Sequence, residues 1–326
     1  MTRLYRLGLT AVLFAAFAGQ VRAAEPDKLL PADADTIVYV NLKQIVEADV
    51  VKKYALEQIK QALNGQDAKK LLEEMGLDPM KDIEKVWAGM SGSGPDNTKA
   101  LVIVHGKFDP DKLLKAAEAI TKKESEKFSV VKDGNTRLFK YQPDKGNPVY
   151  STVVSDGTVI AGTDKKIIAT ALKQAEDDKK APITAELAGL LKPLDEKASV
   201  IAVSSVKGKF DTVKLPAQNQ IDLSGLEKAL PKTNTLSLVV RITADVNLEV
   251  TFGMKDEDAA EDMGAAMAKL LKDLGGFVPV LIALQPNAKP LGDILKTVSS
   301  DVKKQNVVIK GKVTGAVIGK LITPEG

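Results

Sequence analysis

"TLSLVVRITADVNLEVTFGMKDEDAAEDMGAAMAKLLKDLGG", residues 235–276, runs from β-favouring residues into a stretch with helical spacing. It reads as a hairpin followed by a helix. Ala259, Ala260, Met263, Ala266, Met267, Leu270, Leu271 and Leu274 fall on one face of that helix. Residues 84–121 repeat the plan. There the strands lie near 84–90 and 100–107, and the helix starts in "FDPDKLLKAAEAI". Both second strands end in Gly-x-x-Asp, Gly106 to Asp109 and Gly253 to Asp256, and the aspartate opens the helix.

The likeness extends upstream. "LLPADADTIVYVNL" from Leu29 parallels "LLKPLDEKASVIAVSSV" at 190–206: paired leucines, a proline, an aspartate, then a β-rich run. The offset is 162 residues at Pro31/Pro193 and 147 at Gly106/Gly253, so an insertion or deletion separates the halves. A diverged duplication is the expectation, with halves 24–175 and 185–326 joined by a charged linker at 176–184. Two further hairpins are marked at Asp133-Gly134-Asn135 and Asp156-Gly157. Asp78-Pro79, Asp109-Pro110 and Asp164 mark helix starts, and one helical stretch is expected from about Lys43 to Leu63. Hairpins mixed with helices, without βαβ alternation, predict an α+β fold: two related halves of antiparallel sheet with helices packed on one face.

The N-terminus reads as an address. Arg3 and Arg6 precede an apolar run from Leu7 to Gly19, and Val21-Arg22-Ala23 suits a signal peptidase. Residues 1–23 are therefore expected to be a cleaved signal peptide, and the product a soluble protein of the periplasm or the medium. The chain has 46 basic and 43 acidic residues, and residues 1–23 contain three of the arginines and no acid. The mature chain thus has 43 of each, which argues against an overall attraction to nucleic acid or anionic lipid. The best later membrane candidate, "FVPVLIAL" at 277–284, has eight residues and contains Pro279, too short for a span of about 20.

Several chemistries are excluded or disfavoured. No cysteine is present, so disulfides and thiolate sites are ruled out, and a single histidine, His105, rules out multi-histidine metal centres. His105 corresponds to Phe252 of the second half, which favours a packing or edge role over a catalytic base. Gly89 and Gly94 have the spacing of a phosphate loop, but Pro95-Asp96 stand where lysine and a hydroxyl are required. The acids Asp256, Glu257, Asp258, Glu261 and Asp262 fit the first turns of a helix, where the macrodipole favours negative charge, better than a calcium loop. No catalytic, cofactor or metal residues are assigned.

The expected function is that of a non-catalytic binding or structural protein whose partner is a protein or another envelope component. The glycine loop supplies a candidate partner surface at Ser91, Ser93, Asp96 and Asn97. The alternative is a periplasmic carrier of a hydrophobic or lipid-like ligand, with Met263, Met267 and Leu270 lining a groove.

"LLPADADTIVYVNLKQI", "LDPMKDIEKVWAGM", "GKFDPDKLLKAA" and "VVSDGTVIAGTDKKIIATAL" together resemble uncharacterised exported proteins of planctomycete-type bacteria. That resemblance covers most of the mature chain. It implies export and a repeated α+β architecture, and supplies no catalytic residues.

Overall fold

The computed structural model describes residues 25–92, 97–134, 136–177, 179–193, 195, 197–215 and 221–322. The expected signal peptide, and Ser93 and Asp96 of the glycine loop, lie outside the described residues.

The strands are β1 Thr36–Asn41, β2 Ile83–Ser91, β3 Lys99–Gly106, β4 Phe128–Asp133, β5 Thr136–Tyr141, β6 Val149–Ser155, β7 Thr158–Gly162, β8 Val200–Ser205, β9 Thr233–Ile242, β10 Val246–Met254, β11 Ser299–Lys303 and β12 Asn306–Val313. Helices α1 Leu42–Glu47, α2 Asp49–Tyr54, α3 Leu56–Leu63, α4 Gln66–Met75 and α5 Pro79–Asp82 connect β1 to β2. Then come α6 Pro110–Lys123, α7 Lys165–Glu176, α8 Ala185–Leu191, α9 Ser224–Ala229, α10 Glu257–Leu284, α11 Lys289–Leu295 and α12 Gly315–Ile322. The fold is α+β.

All strands join one antiparallel sheet in the order β11-β12-β10-β9-β8-β1-β2-β3-β7-β6-β5-β4. The junction of the two halves is itself a ladder, β1 against β8, with Val38 opposite Ala202. Outward from this junction, β1-β2-β3-β7-β6 on one side matches β8-β9-β10-β12-β11 on the other. Both inner hairpins also shift register at their helix-proximal ends, between Ile83 and Lys85 and between Gly253 and Met254.

The aspartate starts are local chemistry and appear as expected. Side-chain oxygens of Asp78, Asp109, Asp164 and Asp256 accept backbone N–H groups of Met80, Lys112, Lys166 and Ala259 at 2.7–3.1 Å. The single helix expected over 43–63 is instead three short ones. Ala48 is extended, and the N–H of Val50 bonds the carbonyl of Thr243 in the β9–β10 turn. Packing of Val50 and Val51 against Ile242 and Val246 at that hairpin overrides helical continuity. The helix opening at Asp256 runs on through Gly275, Gly276 and Pro279 to Leu284.

The main core lies on one face of the sheet. Ile37, Tyr39, Trp87, Leu101, Ile103, Ile160, Ile201, Val203 and Val239 pack there beneath Ile168 of α7 and Leu187 and Leu191 of α8. A second cluster joins Met254, Phe252 and Val307 to Ala259, Ala260 and Met263 of α10. Phe252 lies opposite Leu236, Leu236 opposite Ser204, and Ser204 opposite Thr36, so this cluster is on the other face.

An open apolar sheet face as the candidate functional site

Residues directly opposite one another across a ladder share a face, so the registers fix what the second face carries. One cross-strand row is Leu248, Val240, Val200, Val40, Val86, Val104 and Val159. The next is Val250, Leu238, Ala202, Val38, Ala88, Val102 and Ala161, and a third runs Leu236, Ser204, Thr36, Met90, Ala100. Not one of these side chains is buried, whereas their chain neighbours Ile37, Tyr39, Trp87, Leu101, Ile103, Ile201 and Val203 all are.

The two longer rows span seven strands, hence six spacings of ~4.8 Å, or about 29 Å. Only two residues of the three rows, Thr36 and Ser204, are polar, and their hydroxyls bond each other at 2.8 Å. Antiparallel sheets with one wet face alternate apolar and polar residues, while uninterrupted apolar runs belong to strands covered on both sides. "IVYV", "ALVIV", "SVIAV" and "LVV" are runs of the second kind. The strands therefore have the composition of a doubly covered sheet, and among the described residues the main core covers one side of its centre. Of the row residues only Leu248, at 41%, is exposed and the others are partly buried, which together make a continuous apolar area of the kind that marks interaction surfaces. Those runs were the available signal in the sequence, though which face stays open depends on tertiary packing.

The residues expected to line a ligand groove sit elsewhere. Met263 is fully buried, Met267 is buried, and Leu270 packs against the same cluster, so all three lie in the filled contact between α10 and the sheet. The apolar cleft on this helix begins one residue further on. About 670 Å³ in volume, it lies between α10 and α11, lined by Leu271, Gly275, Val278, Ile282, Leu295 and Val298. Gly292 sets the approach of the two helices, since a Cβ there would stand 3.0 Å from Val278 and 3.1 Å from Ile282. A cleft of about 660 Å³ among α3, α4 and α5 is lined partly by Lys60, Lys69, Glu73 and Asp82.

The glycine loop joins two paired antiparallel strands, with Ser91 opposite Lys99. Ser91 Oγ donates to Asp33 at 3.3 Å, and Asn97 is exposed. Asp262 of the acidic helix start pairs with Lys232 at 2.6 Å.

His105 has a role that its alignment with Phe252 concealed. Its Nε2 donates to the Asp27 carboxylate, and its Nδ1 shares a hydrogen bond of 3.2 Å with the Thr158 hydroxyl. The Asp27 partner is 78 residues away, which no local pattern reveals. The chain of bonds pins the segment before β1 to the sheet, where Leu29 and Leu30 enter the main core.

Burial pushes the Asp27 carboxyl up, but the bonds from His105 and from the Leu29 N–H, with the nearby charges of His105 and Lys85, outweigh it. The net value is below the ordinary 3.8. A lowered folded value contributes stability above the unfolded value, and that stability is lost as pH falls through the folded value. Asp27→Asn is expected to cost about 1–3 kcal/mol at pH 7, and the gap from wild type should narrow below pH 3.8. Urea unfolding at pH 7 and pH 3 checks this; a gap that widens at low pH refutes it.

No family model, curated protein or solved structure matches the chain. Among the described residues no helix is long and apolar enough to cross a membrane, and no group of three or more His, Asp or Glu is placed to hold a metal ion.

Proposed function

We propose that this is an exported, non-catalytic binding protein whose working surface is the open apolar face across β10-β9-β8-β1-β2-β3-β7. The observation that carries the reading is the set of three cross-strand rows, apolar and only partly buried, in strands composed for burial on both sides. The partner is a protein or another envelope component with a complementary apolar surface. The matched strand order supports treating the halves as diverged copies, which puts the open face at their shared centre. Residues 1–23 act as the export signal in this reading, as in the exported planctomycete-type proteins that the motifs resemble.

The test is native mass spectrometry of the protein purified from its own cell envelope. A bound polypeptide is expected, and it should be absent from a Val102→Glu, Leu238→Glu variant that retains the wild-type circular dichroism. A clean apo mass for the wild type would overturn the reading. A second reading, a carrier of a hydrophobic or lipid-like ligand, is favoured by the 670 Å³ cleft between α10 and α11, a volume in the range of small-molecule sites. A released small molecule in the same spectrum, lost in Gly292→Leu, would select it.

A further inference from the structure

We propose that the free end of α10, together with α11 and α12, docks on an anionic lipid surface. The helix has 28 residues, which makes it about 42 Å long, while the nine-residue strand β10 beside it spans only about 30 Å. Its buried residues, Ala259, Ala260, Met263, Gly264 and Met267, all lie in the first eleven positions. Beyond them, Leu274–Leu284 reads LGGFVPVLIAL, eleven residues without one polar side chain.

A helix that is apolar all round belongs in an apolar medium. The inner side of this one meets α11 through Val278, Ile282 and Gly292. The outer side is bare: Val280 is 54% exposed and Leu284 76%, with Leu291 of α11 at 50%. Leu321 and Ile322 of α12 are also exposed, so five of the ten exposed large hydrophobics among the described residues belong to these three helices.

Charge selects the occupant. Residues 274–322 contain seven lysines and two aspartates, a net +5 in a mature chain that is otherwise −5. Lys303, Lys310 and Lys312 of the sheet pair with Asp301, Glu249 and Asp245, so the charge offered beside the helices rests on Lys289 and Lys320. Beside the apolar stripe stand Lys289, Lys296 and Lys320; Lys296 is compensated by Asp293 at 3.2 Å, while 274–292 and 315–322 contain no acid at all. Bare leucines and valines bordered by lysine fit an acyl layer beneath anionic headgroups. Eleven helical residues cover about 16 Å, half a hydrocarbon core, so the end lies in one leaflet and does not span. The proposal does not depend on what the open sheet face binds.

Flotation with vesicles of phosphatidylglycerol and phosphatidylcholine, against pure phosphatidylcholine, tests it. The full protein should float with the anionic vesicles and be released by salt. Val280→Ser with Leu284→Ser should weaken binding at least tenfold, and Lys289→Glu should weaken it on anionic vesicles alone. These side chains are exposed, so the thermal midpoint should not move. Absence of wild-type flotation, or undiminished flotation of the double variant, overturns the proposal. So does a protein dimer that the double variant dissociates in the absence of lipid, which would assign this end to a second copy of the chain.

Discussion

Trp87→Ala is expected to lower the free energy of unfolding by about 3–5 kcal/mol, the range for removing a large aromatic from a packed core. Trp87 is 3% exposed, and its ring lies 4.6 Å from that of Tyr39 on the adjacent strand. The pair sits on the covered face, one strand from the β1–β8 junction, so little nearby can close over the void. Urea unfolding followed by circular dichroism measures the loss, since the variant has no tryptophan to report by fluorescence. One-sided burial sharpens the prediction. Ile103→Ala, on the same face, should cost about 2–5 kcal/mol, whereas its neighbour Val102→Ala, on the open face, should cost under about 1. Equal losses at 102 and 103 would mean that the second face is covered after all.

The second large effect is expected at Gly106→Ala. A Cβ there would stand 2.0 Å from the backbone oxygen of Asp82 and 3.0 Å from the Phe108 ring. The Asp82 oxygen cannot step aside easily, because it accepts the Lys107 N–H at 2.7 Å while Gly106 donates to Gly157 at 3.1 Å. Relief requires the β2–β3 ladder to part at its base, and about 3 kcal/mol is the expected loss. Gly189→Ala is the matched control. It is helical with nothing within 4 Å of the added carbon, so it should be neutral or stabilising by up to about 1 kcal/mol. A thermal midpoint for Gly106→Ala at or above that of the control would defeat the prediction.

Legibility in the sequence followed the range of the interactions. The caps at Asp78, Asp109, Asp164 and Asp256 could be read because each is an aspartate bonding an amide two or three residues on. The hairpins at Asp133 and Asp156 are equally local. The break at Ala48 could not be read, since it answers to the distant β9–β10 turn. The methionine stripe of α10 was correctly placed on one face, but periodicity does not distinguish a filled contact from a groove, and the cleft begins at Leu271 where the sheet contact ends. The open face is the subtlest case. Val38, Ala88, Val102, Ala202 and Leu238 announce burial by their chemistry, and only the three-dimensional arrangement leaves them partly exposed.

The ladder between β1 and β8 also bears on how such a chain reaches its native state. Val38 and Ala202 are 164 positions apart, yet they lie side by side at the middle of the sheet. A polypeptide delivered N-terminus first presents β1 with β2 as a neighbour long before β8 arrives. Until then the edge that will become the centre of the molecule is an unpaired strand, apolar on both faces, the kind most prone to pair with the wrong chain. Safe assembly thus depends on shielding that nascent edge until the second half is in reach.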